Sequence, residues 1–461
     1  MGARTSVPQC DGMPSTPLLL QPRPGRSFDV SATPSSRNRA IDAYRAVAMC
    51  AVAVGHWLAA DVRTTDGSLT GGNALDRMQG LHILTWVFQV MPLFFCIGGF
   101  SNTASLDAHH RGGRSDGSWT RARLLRLTTP SVWLAGTWLV LLLVGNAVGA
   151  GRFVGIAVGV AAIPLWFLAN YVADTALSPV TLRLYRTHGM KFVGALIAIF
   201  LVGEAARFPG IHVLPQMNIV VGWLLFQVLG FAWKDGHLPH GRQLLALGVG
   251  SWAAAGALVA FGPWPLAMVS VPGSRFANTW PPSLALMFYG LGLCSVAIAA
   301  APAISSMLTR RPAAWKLVVA ANSMTMTSYL WHFTALAIAA VMLGQVGMLP
   351  AAAVGTGAWW LQKLPLMGVA LIVLAVIVVL LSPKERAGLT GGVPTDGATD
   401  SPAAVRLTGL AAFALAAGFE TWTAVHGLLP AAIGMGLVLA VHAGLRADQR
   451  RRLVAASARS C

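Results

Sequence analysis

Apolar runs of bilayer-crossing length recur from one end of this chain to the other, and they constrain its fold more than any single motif does. A helix that spans the hydrocarbon core needs about 20 mostly apolar residues. Twelve stretches fit, at about 41–60, 81–104, 128–149, 153–176, 190–206, 216–234, 242–262, 283–305, 316–343, 360–382, 404–427 and 429–446. The expected fold is all-α, a polytopic transmembrane helix bundle of about 12 spans. Composition agrees: of 461 residues 55% are hydrophobic and only 11% charged, too few to coat a soluble domain of that size. The first expected partner is the lipid bilayer.

A net charge of +17 raises the possibility of nucleic acid. The basic residues, however, are not gathered on one module. They recur in short clusters between apolar runs, as in the cytoplasmic loops of membrane proteins, so no nucleic-acid partner is expected. With the N-terminus placed in the cytoplasm, the tails and alternate loops hold 27 Lys and Arg. The opposite loops hold five, Arg63, Arg77, Arg152, Arg207 and Arg275, and Lys363 lies within a span. This bias implies a multi-pass protein of the cell (inner or plasma) membrane with both termini cytoplasmic.

Residues 1–40 are rich in Pro, Ser and Arg. Their short Leu18-Leu19-Leu20 run is too small for a signal-peptide core, and they read as a disordered cytoplasmic tail. The polar stretch 383–403 reads as a cytoplasmic linker. It divides a ten-span body, 41–382, from a two-helix C-terminal hairpin, 404–446, which a basic tail, 447–461, follows. Cys10, Cys50, Cys96, Cys294 and Cys461 show no paired spacing, so neither a disulfide framework nor a metal site is expected. Any chemistry must then occur within the bundle or its loops.

The first span reads Arg39-Ala-Ile-Asp42-Ala-Tyr-Arg45, an apolar stretch, then His56-Trp57. Eleven residues are close to three helical turns, so Arg45 and His56 share a face, roughly 16 Å apart along the axis. Arg45 is then near the cytoplasmic surface and His56 close to mid-bilayer. A titratable group at that depth is costly unless it meets a polar cavity or partner. Its near-neutral intrinsic pKa suits it to take a proton from an acceptor hydroxyl. A structural hydrogen bond to a neighbouring helix explains it equally well. Arg45 alone reads as an interfacial anchor or a topology signal.

Four segments, taken in order, resemble the acyltransferase 3 family of integral membrane O-acyltransferases. They are Asp42-x-x-Arg45 with His56, Met91-Pro92-Leu93-Phe94-Phe95-Cys96-Ile97-Gly98-Gly99-Phe100, Arg121-Ala-Arg123-Leu-Leu-Arg126 with Pro130, and Thr327-Ser-Tyr329-Leu-Trp331-His332. Leu165-Trp166-Phe167-Leu168 and Asn278-Thr-Trp-Pro281-Pro282 are placed similarly. The resemblance covers about 37–382. It departs at Gly98, where the family usually carries Ser, so a hydroxyl role there is lost.

The resemblance implies an acyltransferase moving an acetyl or other short acyl group, as in O-acetylation of cell-envelope components. The acceptor would be a hydroxyl of a carbohydrate, glycolipid or small molecule. No permanently bound cofactor is implied, and acyl-CoA is the expected co-substrate, presented from the cytoplasmic side. His56 would be the general base, and Arg45, Arg123 and Arg126 would hold the anionic donor, since guanidinium forks suit phosphate. Asp42, Tyr329 and His332 are candidate supporting residues. A basic cytoplasmic loop is ordinary in membrane proteins, and His332 serves equally as a helix-to-helix hydrogen bond. His109-His110 reads as solvated, and Asp174, Glu204 and Glu420 as span-end groups reaching interfacial water, either structural or acceptor-side contacts. The rival class is a secondary transporter, which predicts two similar halves. The Arg45/His56 arrangement has no counterpart in the second half. The oligomeric state is not legible in the sequence.

Overall fold

The computed structural model describes residues 37–389 apart from 66–67, 150–153, 155–156, 158, 162, 212 and 272–275, together with 440, 442–444, 446 and 447. Helix α1 runs Arg39–Ala59 and leads into a hairpin of β1 (Ala60–Thr65) and β2 (Ser68–Asn73). A short α2 (Thr85–Phe88) precedes α3 (Met91–Arg111), α4 (Asp116–Ala147), α5 (Ile163–His188) and α6 (Met190–Ala205). There follow α7 (Val213–Lys234), α8 (Arg242–Phe261), α9 (Leu284–Arg310), α10 (Pro312–Gln345) and α11 (Gly357–Leu389). The strands pair antiparallel from Ala60 opposite Asn73 to Thr65 opposite Ser68. This hairpin is the one departure from an all-α body among the described residues.

Local chemistry sets several boundaries. Asn38 caps α1 by accepting from the Ala40 amide, and Ser115 and Ser283 cap α4 and α9 in the same way. The Ser115 cap starts α4 at Asp116, twelve residues before the apolar run suggested. The 121–126 basic motif is therefore helical rather than a loop. The next helix runs on past the expected end at 176, to His188.

Contacts between helix ends divide the bundle into two ends. At one, here the near end, α1 begins beside the end of α9, through Arg39 to the Leu308 carbonyl. There Arg186 of α5 also bridges Asp107 of α3 and Asp235, the residue after the end of α7. At the far end, Lys363 at the start of α11 donates to the Leu58 and Ala60 carbonyls where α1 stops, at 2.5 and 2.6 Å.

Helices α3 and α7 approach at backbone distance. A Cβ at Gly99 would lie 2.0 Å from the Gln227 carbonyl oxygen, and one at Gly230 would lie 2.0 Å from that of Cys96. Small residues at a helix crossing permit this packing, which is the main attraction available between helices in lipid.

Eight described helices are long and apolar enough to cross a membrane. The expected first and fifth spans exist as helices but fall outside that class: α1 carries Arg39, Asp42 and Arg45, and α6 has 16 residues. Peripheral helices present apolar side chains outward, including Leu245 and Val249 on α8 and Leu371, Ile372 and Val379 on α11. A soluble surface would not tolerate so continuous a band. The multi-pass membrane character is thereby established, while the expected spans 404–427 and 429–446 lie outside the described residues save for fragments near 440–447.

Candidate active site

Two histidines meet between α1 and α10. The Nδ1 of His56 lies 2.8 Å from Nε2 of His332, and the rings stack with centroids 5.1 Å apart. The other nitrogen of His332, Nδ1, lies 2.6 Å from the carbonyl oxygen of Tyr329. Trp57 Nε1 donates to the His332 carbonyl at 3.0 Å, and Phe333 stacks on His56. Both helices are thus fixed at this crossing by backbone as well as side-chain contacts. His332 is fully buried, whereas His56 keeps part of its surface accessible. Of the pair, only His56 can meet another molecule. Because α1 ends at Ala59, His56 stands in its last turn. It lies nearer the far end than the mid-depth position expected from the sequence, with Phe88 of α2 packed against neighbouring Gly55.

Tyr329 does not direct its hydroxyl at the pair. It donates instead to the Pro164 carbonyl at 2.6 Å, at the start of α5. Its ring joins an aromatic row that includes Tyr171, Phe167, Tyr329 and His332, with successive centroids 5.9, 5.4 and 6.0 Å apart.

The near-end terminus of that row adjoins a cluster of arginines. Arg45 donates to the Ser101 hydroxyl at 3.2 Å, and Arg123 reaches the Ser101 carbonyl at 3.5 Å. The charges of Arg45, Arg123 and Arg126 act on one another, and the Tyr171 hydroxyl acts on Arg123 and Arg126. Two helices, α1 and α4, therefore bring three like charges into one place, beside Ser101 of α3 and Tyr171 of α5. The only carboxylate paired with any of them among the described residues is Asp42, 3.5 Å from Arg45 and held more closely by Arg37 at 2.7 Å. Arg123 also lies over the Trp119 ring, while its buried Nε has no partner. Crowded cations with a spare donor have the charge and the free N–H groups that an anion would meet.

The structure thus brings together Arg45, Arg123 and Arg126 in one group and His56 with His332 in another. Asp42 supports the first group through its ion pairs, and its backbone carbonyl accepts from Asn322 of α10. Ser101 and Tyr171 were not singled out by the sequence. A clue lay at Gly98, where a Cβ would come within 2.8 Å of the Tyr171 ring and 3.0 Å of its hydroxyl. Gly at 98 thereby makes room for Tyr171.

Two expectations change, those of Asp174 and His109, while Glu204 keeps its span-end place and is structural. Asp174 is mid-helix and buried, not interfacial, because α5 continues to His188. Glu204 is buried and ion-paired with Arg207 at 2.9 Å, accepting also from Trp264 and the Leu284 amide. His109 is buried and bonded to Ser118, although His110 is exposed beside Asp116. Glu420 lies outside the described residues. No cluster with metal-ligand composition occurs among the described residues, and Cys50, Cys96 and Cys294 are free thiols.

A membrane-embedded helical body, with a histidine pair at one helix crossing and a separate arginine cluster, defines a multi-pass membrane protein. A family model described as an acyltransferase domain matches residues 38–382, and the chain belongs to the acyltransferase 3 family. It is a membrane acyltransferase. Searches of curated proteins and of solved structures find no match.

Proposed function

We propose that the chain moves a short acyl group from acyl-CoA, bound at the near end from the cytoplasm, to a hydroxyl of a carbohydrate, glycolipid or small molecule. His56 is the general base. One observation carries this reading: a partly accessible histidine, braced from behind by a buried one, shares a helix face with an arginine of a cationic cluster that a single shared carboxylate only partly compensates. Their separation along α1, roughly 16 Å for eleven residues, lets the donor phosphates and the reacting thioester occupy different parts of one molecule.

The chemistry balances without a covalent enzyme intermediate. The acceptor hydroxyl gives its proton to His56 as its oxygen attacks the thioester carbonyl carbon. The tetrahedral adduct then collapses, the carbon–sulfur bond breaks, and the thiolate takes the proton back from the imidazolium. Meanwhile the guanidinium groups of Arg45, Arg123 and Arg126 bind the donor phosphates through charge-assisted hydrogen bonds. The orientation is supported by the Lys and Arg bias between alternate loops.

The test is donor consumption by purified wild-type protein and His56→Ala with a panel of hydroxyl acceptors, thermal unfolding serving as the folding control. Turnover is expected to fall by about 10²–10⁴-fold in the folded variant, the usual contribution of a positioned base. Unchanged turnover removes His56 as the base. If wild-type protein consumes no donor with any acceptor while moving a solute unaided, a transporter reading replaces this one.

A further inference from the structure

We infer that His332 is a positioning residue, which holds His56 in the single tautomer whose bare Nε2 faces the acceptor; the inference rests on the acyl-transfer reading above. The run of hydrogen bonds starts at the Tyr329 carbonyl. The Tyr329 carbonyl oxygen can only accept a hydrogen bond, so the His332 Nδ1 that lies 2.6 Å from it carries the proton. A neutral imidazole has one N–H, which leaves Nε2 of His332 as an acceptor. The atom 2.8 Å from that nitrogen is Nδ1 of His56, which must therefore donate. With its one N–H used, His56, the partly accessible residue of the two, presents Nε2 as a free lone pair. The same two hydrogen bonds fix the ring's rotation, and the flanking Phe333 ring limits tilt.

In this arrangement a backbone carbonyl does what a carboxylate does behind a catalytic histidine elsewhere. It sets tautomer and orientation but supplies no charge. Among the described residues no carboxylate pairs with either ring. The device also explains why the two histidines lie on different helices. The Trp57 bond to the His332 carbonyl, a backbone tie independent of the His332 side chain, keeps α1 and α10 in register. Side-chain variants at 332 therefore retain one anchor across the crossing.

The test uses the full chain in detergent or nanodiscs, labelled with 15N-histidine, at a pH high enough to keep both rings neutral. Ring-nitrogen shifts are assigned by subtraction with His56→Gln and His332→Gln. The expected spectrum shows His56 protonated at Nδ1 and bare at Nε2. His56 protonated at Nε2 would overturn the inference, whatever the activity. Kinetics supply the second arm. His332→Gln keeps an acceptor oxygen for His56 Nδ1, whereas His332→Phe does not. Loss of kcat is expected to reach at least about 10-fold in the Phe variant, with KM for the donor unchanged, and to be smaller in the Gln variant. Equal losses in both variants would also overturn the orienting role. Failure of wild-type protein to turn over any donor would count against the acyl-transfer reading instead, and would leave the nitrogen shifts as the test of the pair.

Discussion

Buried charge is handled in opposite ways at the two ends of the bundle. At the far end every prominent ion has its complement. Glu204 meets Arg207, whose guanidinium also takes the carbonyls of Ala277, Pro281 and Pro282. Asp61 is clasped by Arg63 through both oxygens, and Lys363 fills the open carbonyls at the end of α1 over the Trp359 ring. Those ions tie loops to helices. At the near end Arg45, Arg123 and Arg126 share little more than one carboxylate, which is itself engaged by Arg37. An ion whose needs are met by the fold is a fastener. A group of like ions left partly unmet is costly to assemble and makes sense when a ligand completes it.

Substitutions sharpen this contrast in graded order. The largest effect is expected from Glu204→Ala, which strands the buried Arg207 charge and unties Trp264 and the start of α9. Breaking such a pair costs about 3–5 kcal/mol, read as a large fall in the thermal midpoint in detergent. A midpoint close to wild type would mean that the pair is not a fastener. Next comes Arg123→Gln, for which thermal stability should be maintained or improved by relief of repulsion. Its KM for acyl-CoA should rise about 10- to 100-fold, from the loss of charge-assisted hydrogen bonds worth about 1.5–3 kcal/mol. Arg45→Lys keeps the charge but not the fork, so a rise of a few-fold in the same KM is expected, and a wild-type KM would show that only charge matters at that position. The smallest effect is predicted for Tyr171→Phe, which keeps the ring packed under Gly98 and removes one hydroxyl from the arginine cluster. Removing one neutral hydrogen-bonding group should weaken donor binding by several-fold at most, with no change in thermal midpoint.

How much of this was legible in the sequence follows from range. Arg45 and His56 could be matched on one face because their relation is set by helical repeat alone. The span pattern was legible because apolar length is a local property, although hydropathy could not see the Ser115 cap that draws Arg121, Arg123 and Arg126 into α4. It could not foresee the β1–β2 hairpin either. The pairing of His56 with His332 joins positions far apart in the chain, and only the parallel seating of α1 against α10 reveals it. Tyr171 was invisible for a different reason. Its role depends on what is missing at Gly98, and a missing side chain leaves no motif. Asp174 was misplaced at the membrane surface because the apolar run stops near 176 whereas α5 continues to His188, and the burial of Glu204 rests on Arg207, Trp264 and the start of α9, which lie outside its own span.

The proposed function divides labour between two places on one molecule, binding at the arginines and chemistry at His56. Titrating an acyl-CoA into purified His56→Ala and Arg123→Gln, with wild type as the standard, tests that division most directly. The expected result is wild-type affinity in His56→Ala and at least about tenfold weaker binding in Arg123→Gln, both proteins being folded. Loss of donor binding in His56→Ala, or wild-type affinity in Arg123→Gln, would contradict it.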